Sequence, residues 1–120
     1  MKQGFDRTQR VADLIQRTLA SMLLQEMSDE RFRLVTVTSV TISRDLSYAK
    51  VYVSVLTDEE AVIKQTLTAL NRAAKSLRYN LAHAVDLRIV PELKFVYDDS
   101  TARGSRISAL IDSAVKQSSK

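Results

Sequence analysis

The chain has no cysteine and no tryptophan, one proline and two glycines among 120 residues. Without cysteine there are no disulfides, thiolate metal sites or cysteine nucleophiles. The two glycines, Gly4 and Gly104, are too far apart to build a phosphate-cradling loop, which excludes that class of nucleotide site. His83 is the only histidine, no second metal-ligating side chain of its kind lies near it, and no Ser-His-Asp arrangement has spatial support. No cofactor or metal is expected. No apolar run is long enough to span a bilayer, and the start lacks a basic segment followed by an apolar one. A cytoplasmic protein without membrane attachment is expected. What remains is 45% hydrophobic and 27% charged, sufficient for one core. One domain is expected over residues 1–115, followed by a disordered tail, 116–120. A net charge of +4 is modest, so attraction to a polyanion depends on where the cations sit.

Acidic residues are missing from one stretch in particular. Between Ala61 and Val85 there is no Asp or Glu, although Lys64, Arg72, Lys75 and Arg78 all fall there. At about 100° per residue, Ile63, Leu67, Leu70, Ala74, Leu77 and Leu81 line one side of a helix and the cations take the other. Asn71, Tyr79, Asn80 and His83 are interspersed with the charges. A polyanion-binding face has this composition, and a merely solvated face is the alternative. Spacings of three place Arg72, Lys75 and Arg78 on adjoining helical positions, suited to phosphate contacts, and Lys64 extends the track. Arg78 and Tyr79 are also candidates for stacking on bases.

Elsewhere, Val11, Leu14, Ile15, Leu19, Met22, Leu23 and Met27 predict an amphipathic helix from about Arg7 to Met27, capped by Asp6 or Thr8. Leu34 to Ile42 reads as a strand whose apolar phase switches between Val37 and Val40, implying a bulge at Thr38 or Ser39. After the turn Ser43-Arg44-Asp45, Ala49, Val51, Val53 and Val55 alternate with polar residues and complete a hairpin. Thr57 and Glu60 form the pattern of a capping box opening the basic helix. That helical signal lasts to about Ala84, a length that suits a kink near Ala73 and Ala74, although neither Gly nor Pro forces one. A third strand is predicted over Leu87 to Tyr97, with Pro91 implying a bulge or an edge position. Asp98, Asp99 and Ser100 read as a turn and cap before a last short helix through Ile107, Leu110, Ile111, Ala114 and Val115. The order α, β, β, α (broken), β, α is α+β, with a three-stranded sheet packed on helices, and matches a type II KH-like domain lacking the GxxG loop.

Arg10-Val11-Ala12, the hairpin from Val35 through Ser43-Arg44-Asp45-Leu46 to Val53, and Leu87-Arg88-Ile89-Val90-Pro91-Glu92-Leu93 running on to Asp98-Asp99-Ser100 together resemble the bacterial ribosome-binding factor A family. The resemblance implies a KH-like fold in which a helix-kink-helix around an Ala-x-Gly element replaces the GxxG loop. Ala73, Ala74 and Lys75 occupy that element, with lysine in place of the glycine, and the family's Asp-Pro-Arg is altered to Asp29-Glu30-Arg31. It further implies a non-catalytic monomer that binds 16S rRNA within the free 30S subunit or its precursor, promotes late maturation and 5′-end processing, and matters most in the cold.

Further cations extend the candidate surface. Arg31, Arg33 and Arg44 flank the first strand and are candidates for a second RNA contact. Lys2, Arg7, Arg10 and Arg17 lie on or before the first helix, where solvation is the simpler reading. Asp98 and Asp99 invite comparison with a Mg²⁺ nuclease, but adjacent side chains in extended backbone point apart, and Glu92 is the only further carboxylate available. No enzyme is expected. A small α/β regulatory module binding a protein or metabolite is the alternative, and the basic helix argues against it.

Overall fold

The first helix owes its position to a stripe that repeats every three or four residues. In a computed structural model that describes residues 3–25, 30–100, 106, 107, 109 and 110, the first four by backbone alone, helix α1 spans Gln3–Gln25. It buries Ala12, Ile15, Leu19, Met22 and Leu23. Asp6 and Thr8 lie inside this helix rather than at its cap, because its first turns carry no apolar period to mark them in the sequence. Met27 and Asp29 lie outside the described residues.

A 3₁₀ turn, Glu30–Leu34, follows and buries Phe32. Strands β1, Val35–Ile42, and β2, Tyr48–Val55, then pair antiparallel. Their register runs Val37↔Val53 and resumes at Ser39↔Tyr52, so Thr38 is the extra residue of a β-bulge. That insertion keeps Val35, Val37 and Val40 all on the core side. The Gln16 side-chain amide on α1 donates to the carbonyls of Val37 (3.3 Å) and Thr38 (3.2 Å), tying the helix to the bulge. The β1–β2 turn is organised by Asp45, whose carboxylate accepts from the hydroxyls of Ser43 (2.8 Å) and Ser47 (2.6 Å) and from the Ser47 amide (3.1 Å). These bonds, the Ser47 hydroxyl first, hold its pKa below the ordinary value. They also fix Leu46 at φ 62°, the one non-glycine with positive φ among the described residues.

Helices α2, Glu60–Arg72, and α3, Ala74–Ala84, lead to β3, Glu92–Tyr97, which pairs parallel with β2 to complete a sheet of order β1-β2-β3. The strand does not straddle Pro91 as the alternation from Leu87 predicts. It starts at the next residue, because proline has no N–H for the ladder and Glu92 supplies the first one, donating to Ser47 O at 2.9 Å. Leu87 is a half-buried loop residue and Ile89 is half exposed.

All the helices cover one face of the sheet. Ala49, Val51, Val53 and Val55 of β2 and Leu93, Phe95 and Tyr97 of β3 meet the stripe Ile63, Leu67, Leu70, Leu77 and Leu81 in a single cluster. The architecture is the expected α+β arrangement. Arg106, Ile107, Ala109 and Leu110 are helical, with Ile107 buried against the core. The remainder of the predicted last helix and the tail lie outside the described residues.

Candidate nucleic-acid interface

Helix α2 begins later than a capping box would place it. Its N-cap is Glu59, with φ −85° and ψ 112° and no side-chain cap. Thr57 Oγ1 instead accepts from the Glu59 amide at 3.1 Å, forming a local turn ahead of the helix. Glu60 is therefore the first helical residue rather than the third, and cannot reach back to Thr57 in the reciprocal box. Its charge still favours the positive end of the helix dipole.

The two helices meet at Ala73. Its ψ of −1° departs from the helical value near −42°, which turns the chain within one residue. Its amide still donates to Ala69 O at 3.0 Å and its carbonyl accepts from Leu77 at 2.8 Å, so hydrogen bonding continues across the break. Neither Ala73, Ala74 nor Lys75 has positive φ. The bend thus needs no glycine, and a lysine at position 75 is compatible with it. The half-buried methyls of Ala73 and Ala74 pack against the core, where larger side chains would hold the helices apart.

Lys64, Arg72, Lys75 and Arg78 are exposed, on the side of α2 and α3 away from the buried leucines. Arg72 ends α2, and Lys75 lies in the first turn of α3, which contains no acidic residue. Arg72 suits the negative end of the α2 dipole, whereas Lys75 at the positive end of the α3 dipole costs a few tenths of a kcal/mol unless an anion offsets it. Arg78 donates from Nε to Val90 O at 3.0 Å, holding the loop before β3, while its other N–H groups make no hydrogen bond among the described residues.

Asn71 has a structural role that the sequence reading missed by grouping it with the solvent-facing residues. Its side-chain Oδ1 accepts from the Phe95 amide at 2.9 Å, and its Nδ2 donates to Phe95 O at 3.0 Å and to Leu67 O at 3.2 Å. The amide stands in for a neighbouring strand and closes the outer edge of β3 at one residue. Periodicity alone carries no signal for this, since a polar residue beside a buried stripe reads as solvated.

Beside the break, a groove of about 640 Å³ runs between α3 and β3, with Lys75, Arg78 and Tyr79 on one wall and Val90, Glu92 and Leu93 on the other. Tyr79 is 66% exposed, and its ring lies 4.5 Å from that of His83, centroid to centroid. The His83 ring also contacts Tyr79 O through Nδ1 at 2.9 Å. A pair of rings next to two cations supplies both components of single-strand recognition, stacking and phosphate attraction.

The outlying candidates do not form one patch. Arg31 and Arg33 project from the 3₁₀ turn, which packs beside the start of β1 and α2, whereas Arg44 sits in the turn beyond the other end of β1. An eight-residue strand separates them by about 25 Å. Arg7, Arg10 and Arg17 are exposed along α1, and Lys2 lies outside the described residues. Asp98 caps a turn by accepting from the Ser100 amide at 2.9 Å, which with a smaller contribution from the Thr38 hydroxyl lowers its pKa. Glu92 stands at the opposite end of the same strand, so these carboxylates do not converge.

Comparison with known proteins agrees with this architecture. The family model described as ribosome-binding factor A matches residues 7–111. Ribosome-binding factor A of Nitrosococcus oceani is 50% identical over 117 residues, covering 98% of this chain and 91% of that one. The Pseudomonas fluorescens protein of the same name is 46% identical over 121 residues, covering 100% and 91%. Among solved structures, the crystal structure of ribosome-binding factor A from Thermus thermophilus superimposes with a TM-score of 0.64 at 34% identity, covering 75% of this chain and 94% of that one. The coordinates of the Thermus thermophilus factor fitted into a cryo-electron-microscopy map of a 30S–RbfA complex give a TM-score of 0.64 at 33% identity, covering 78% and 97%. Shared over nearly its full length with proteins of that name, and folded as they are, this chain belongs to the ribosome-binding factor A family.

Proposed function

We propose that this protein is a ribosome-binding factor that engages the free 30S subunit or its precursor through the basic face of α2 and α3, and so promotes late maturation and 5′-end processing of 16S rRNA. The observation that carries the reading is the exposed track Lys64, Arg72, Lys75 and Arg78, which crosses the break at Ala73 in a stretch free of carboxylates. Membership of a family with a relative fitted into a 30S map supports the choice of the small subunit as partner. In this reading the four cations contact phosphates, with Arg31, Arg33 and Arg44 adding peripheral contacts. The protein acts in the cytoplasm as a monomer, without a cofactor and without making or breaking bonds.

Such a factor works by differential affinity. A ligand moves an equilibrium between two RNA arrangements only as far as it binds one better than the other, so the protein favours the precursor conformation it fits and departs when the mature one forms. Trapped RNA structures escape more slowly as temperature falls, and the need for the factor rises accordingly in the cold.

Sedimentation of a cell extract tests the proposal. The protein should travel with free small subunits and be absent from whole ribosomes. Migration with neither, or a binding constant insensitive to salt, would instead indicate a protein or metabolite partner.

A further inference from the structure

Among the described residues, the helices cover one face of the sheet and leave the other open. On that open face, β2 presents Tyr48, Lys50 and Tyr52 at alternate positions, opposite in direction to the buried Ala49, Val51 and Val53. Tyr48 is 62% exposed and Tyr52 half-buried. Lys50 stands in register with Lys94 of β3, both are exposed, and neither makes an ion pair among the described residues. Like charges directly opposite on neighbouring strands are destabilising, and a fold that keeps such a pair without a counter-ion has a ready seat for an anion. Glu92, the nearest carboxylate on this face, is in register with Tyr48, one alternate position further along.

We infer that the open face of the sheet is a second RNA surface, which takes an unpaired strand by stacking bases on Tyr48 and Tyr52 and seating the phosphate between them at Lys50 and Lys94. The two tyrosines are four residues apart on one strand, about 13 Å, with the lysine pair midway. Aromatic side chains spaced along a flat sheet match splayed bases, whereas a closed duplex offers no base faces to them. A protein partner is disfavoured by the composition, since lysine is depleted from the cores of protein interfaces and β1 contributes only the hydroxyls of Thr36, Ser39 and Thr41 here. The surface lies across the sheet from α2 and α3, so it stands independently of the helical track.

Titration of the full chain with a short oligouridylate tests this, read by tyrosine emission, which the absence of tryptophan leaves unmasked. The wild type should show quenching and bind the single strand more tightly than a duplex of the same length. The Lys50→Gln/Lys94→Gln double variant should bind at least about tenfold more weakly at low salt while melting no lower than the parent, because the like-charge pair is gone. Tyr48→Ala should weaken binding by about fivefold or more, the loss of one stacked base. Because the two surfaces stand on opposite faces, the sheet substitutions should cost the same fold-change in affinity in the Arg72→Glu/Lys75→Glu/Arg78→Glu background as in the wild type. The inference is overturned if the two sheet variants bind as the wild type does, or if their effect disappears in the helical-variant background. It is equally overturned if the sheet variants lose the subunit while keeping the oligonucleotide, which would make the face a protein contact.

Discussion

Side chains that look alike in the sequence divide here into those that hold the fold and those left for a ligand. Asn71 belongs to the first group. Replacing it by alanine leaves the Phe95 amide and carbonyl without their partner and should cost about 1–3 kcal/mol, measured by urea unfolding. Lys75 belongs to the second. Since no positive φ occurs at the break, Lys75→Gly should lower stability by up to about 1 kcal/mol rather than sharpen the bend, and should weaken subunit binding. Asp45 adds a pH dependence confined to the turn. Its folded pKa lies below the ordinary 3.8, so its contribution is present above that value and disappears as pH falls through the folded pKa. The melting temperature of Asp45→Ala should therefore lie below the parent's at neutral pH, and the two should converge in strong acid.

Among the elements, those read correctly from sequence are those whose packing leaves a periodic trace. The hairpin was readable from the alternation Ala49, Val51, Val53 and Val55, and the bulge from the phase slip between Val37 and Val40, because burial on one face imposes a period of two. Helix ends leave no such trace. Thr57 and Glu60 have the spacing of a capping box, yet a tighter turn bonds Thr57 to Glu59 and moves the start of α2. Leu87 and Ile89 mimic a strand by their spacing alone: they lie in a loop that Arg78 pins at Val90, where Leu87 is half-buried and Ile89 half exposed. The cationic face was readable in composition, but the separation of Arg33 from Arg44 required the length of β1. Leu70→Ala tests the division between core and surface at this scale. It should cost about 2–5 kcal/mol through a cavity under α2, and at temperatures where it remains folded it should bind the subunit normally.

At the scale of the whole molecule, a modest net charge of +4 is arranged so that one helical pair carries four exposed cations and, past Glu60 in its first turn, no acid. Long-range attraction then depends on this track rather than on the total, and the association should weaken steeply with salt. Three or four neutralised phosphates correspond to a log–log slope of about 2–4. The most direct measurement is the affinity of purified 30S subunits for the Arg72→Glu/Lys75→Glu/Arg78→Glu variant, with circular dichroism confirming an unchanged fold. The account predicts loss of cosedimentation at physiological salt and a flattened salt slope. Cosedimentation at the parent's level would contradict it, because the exposed cations of α2 and α3 would then have no part in holding the subunit.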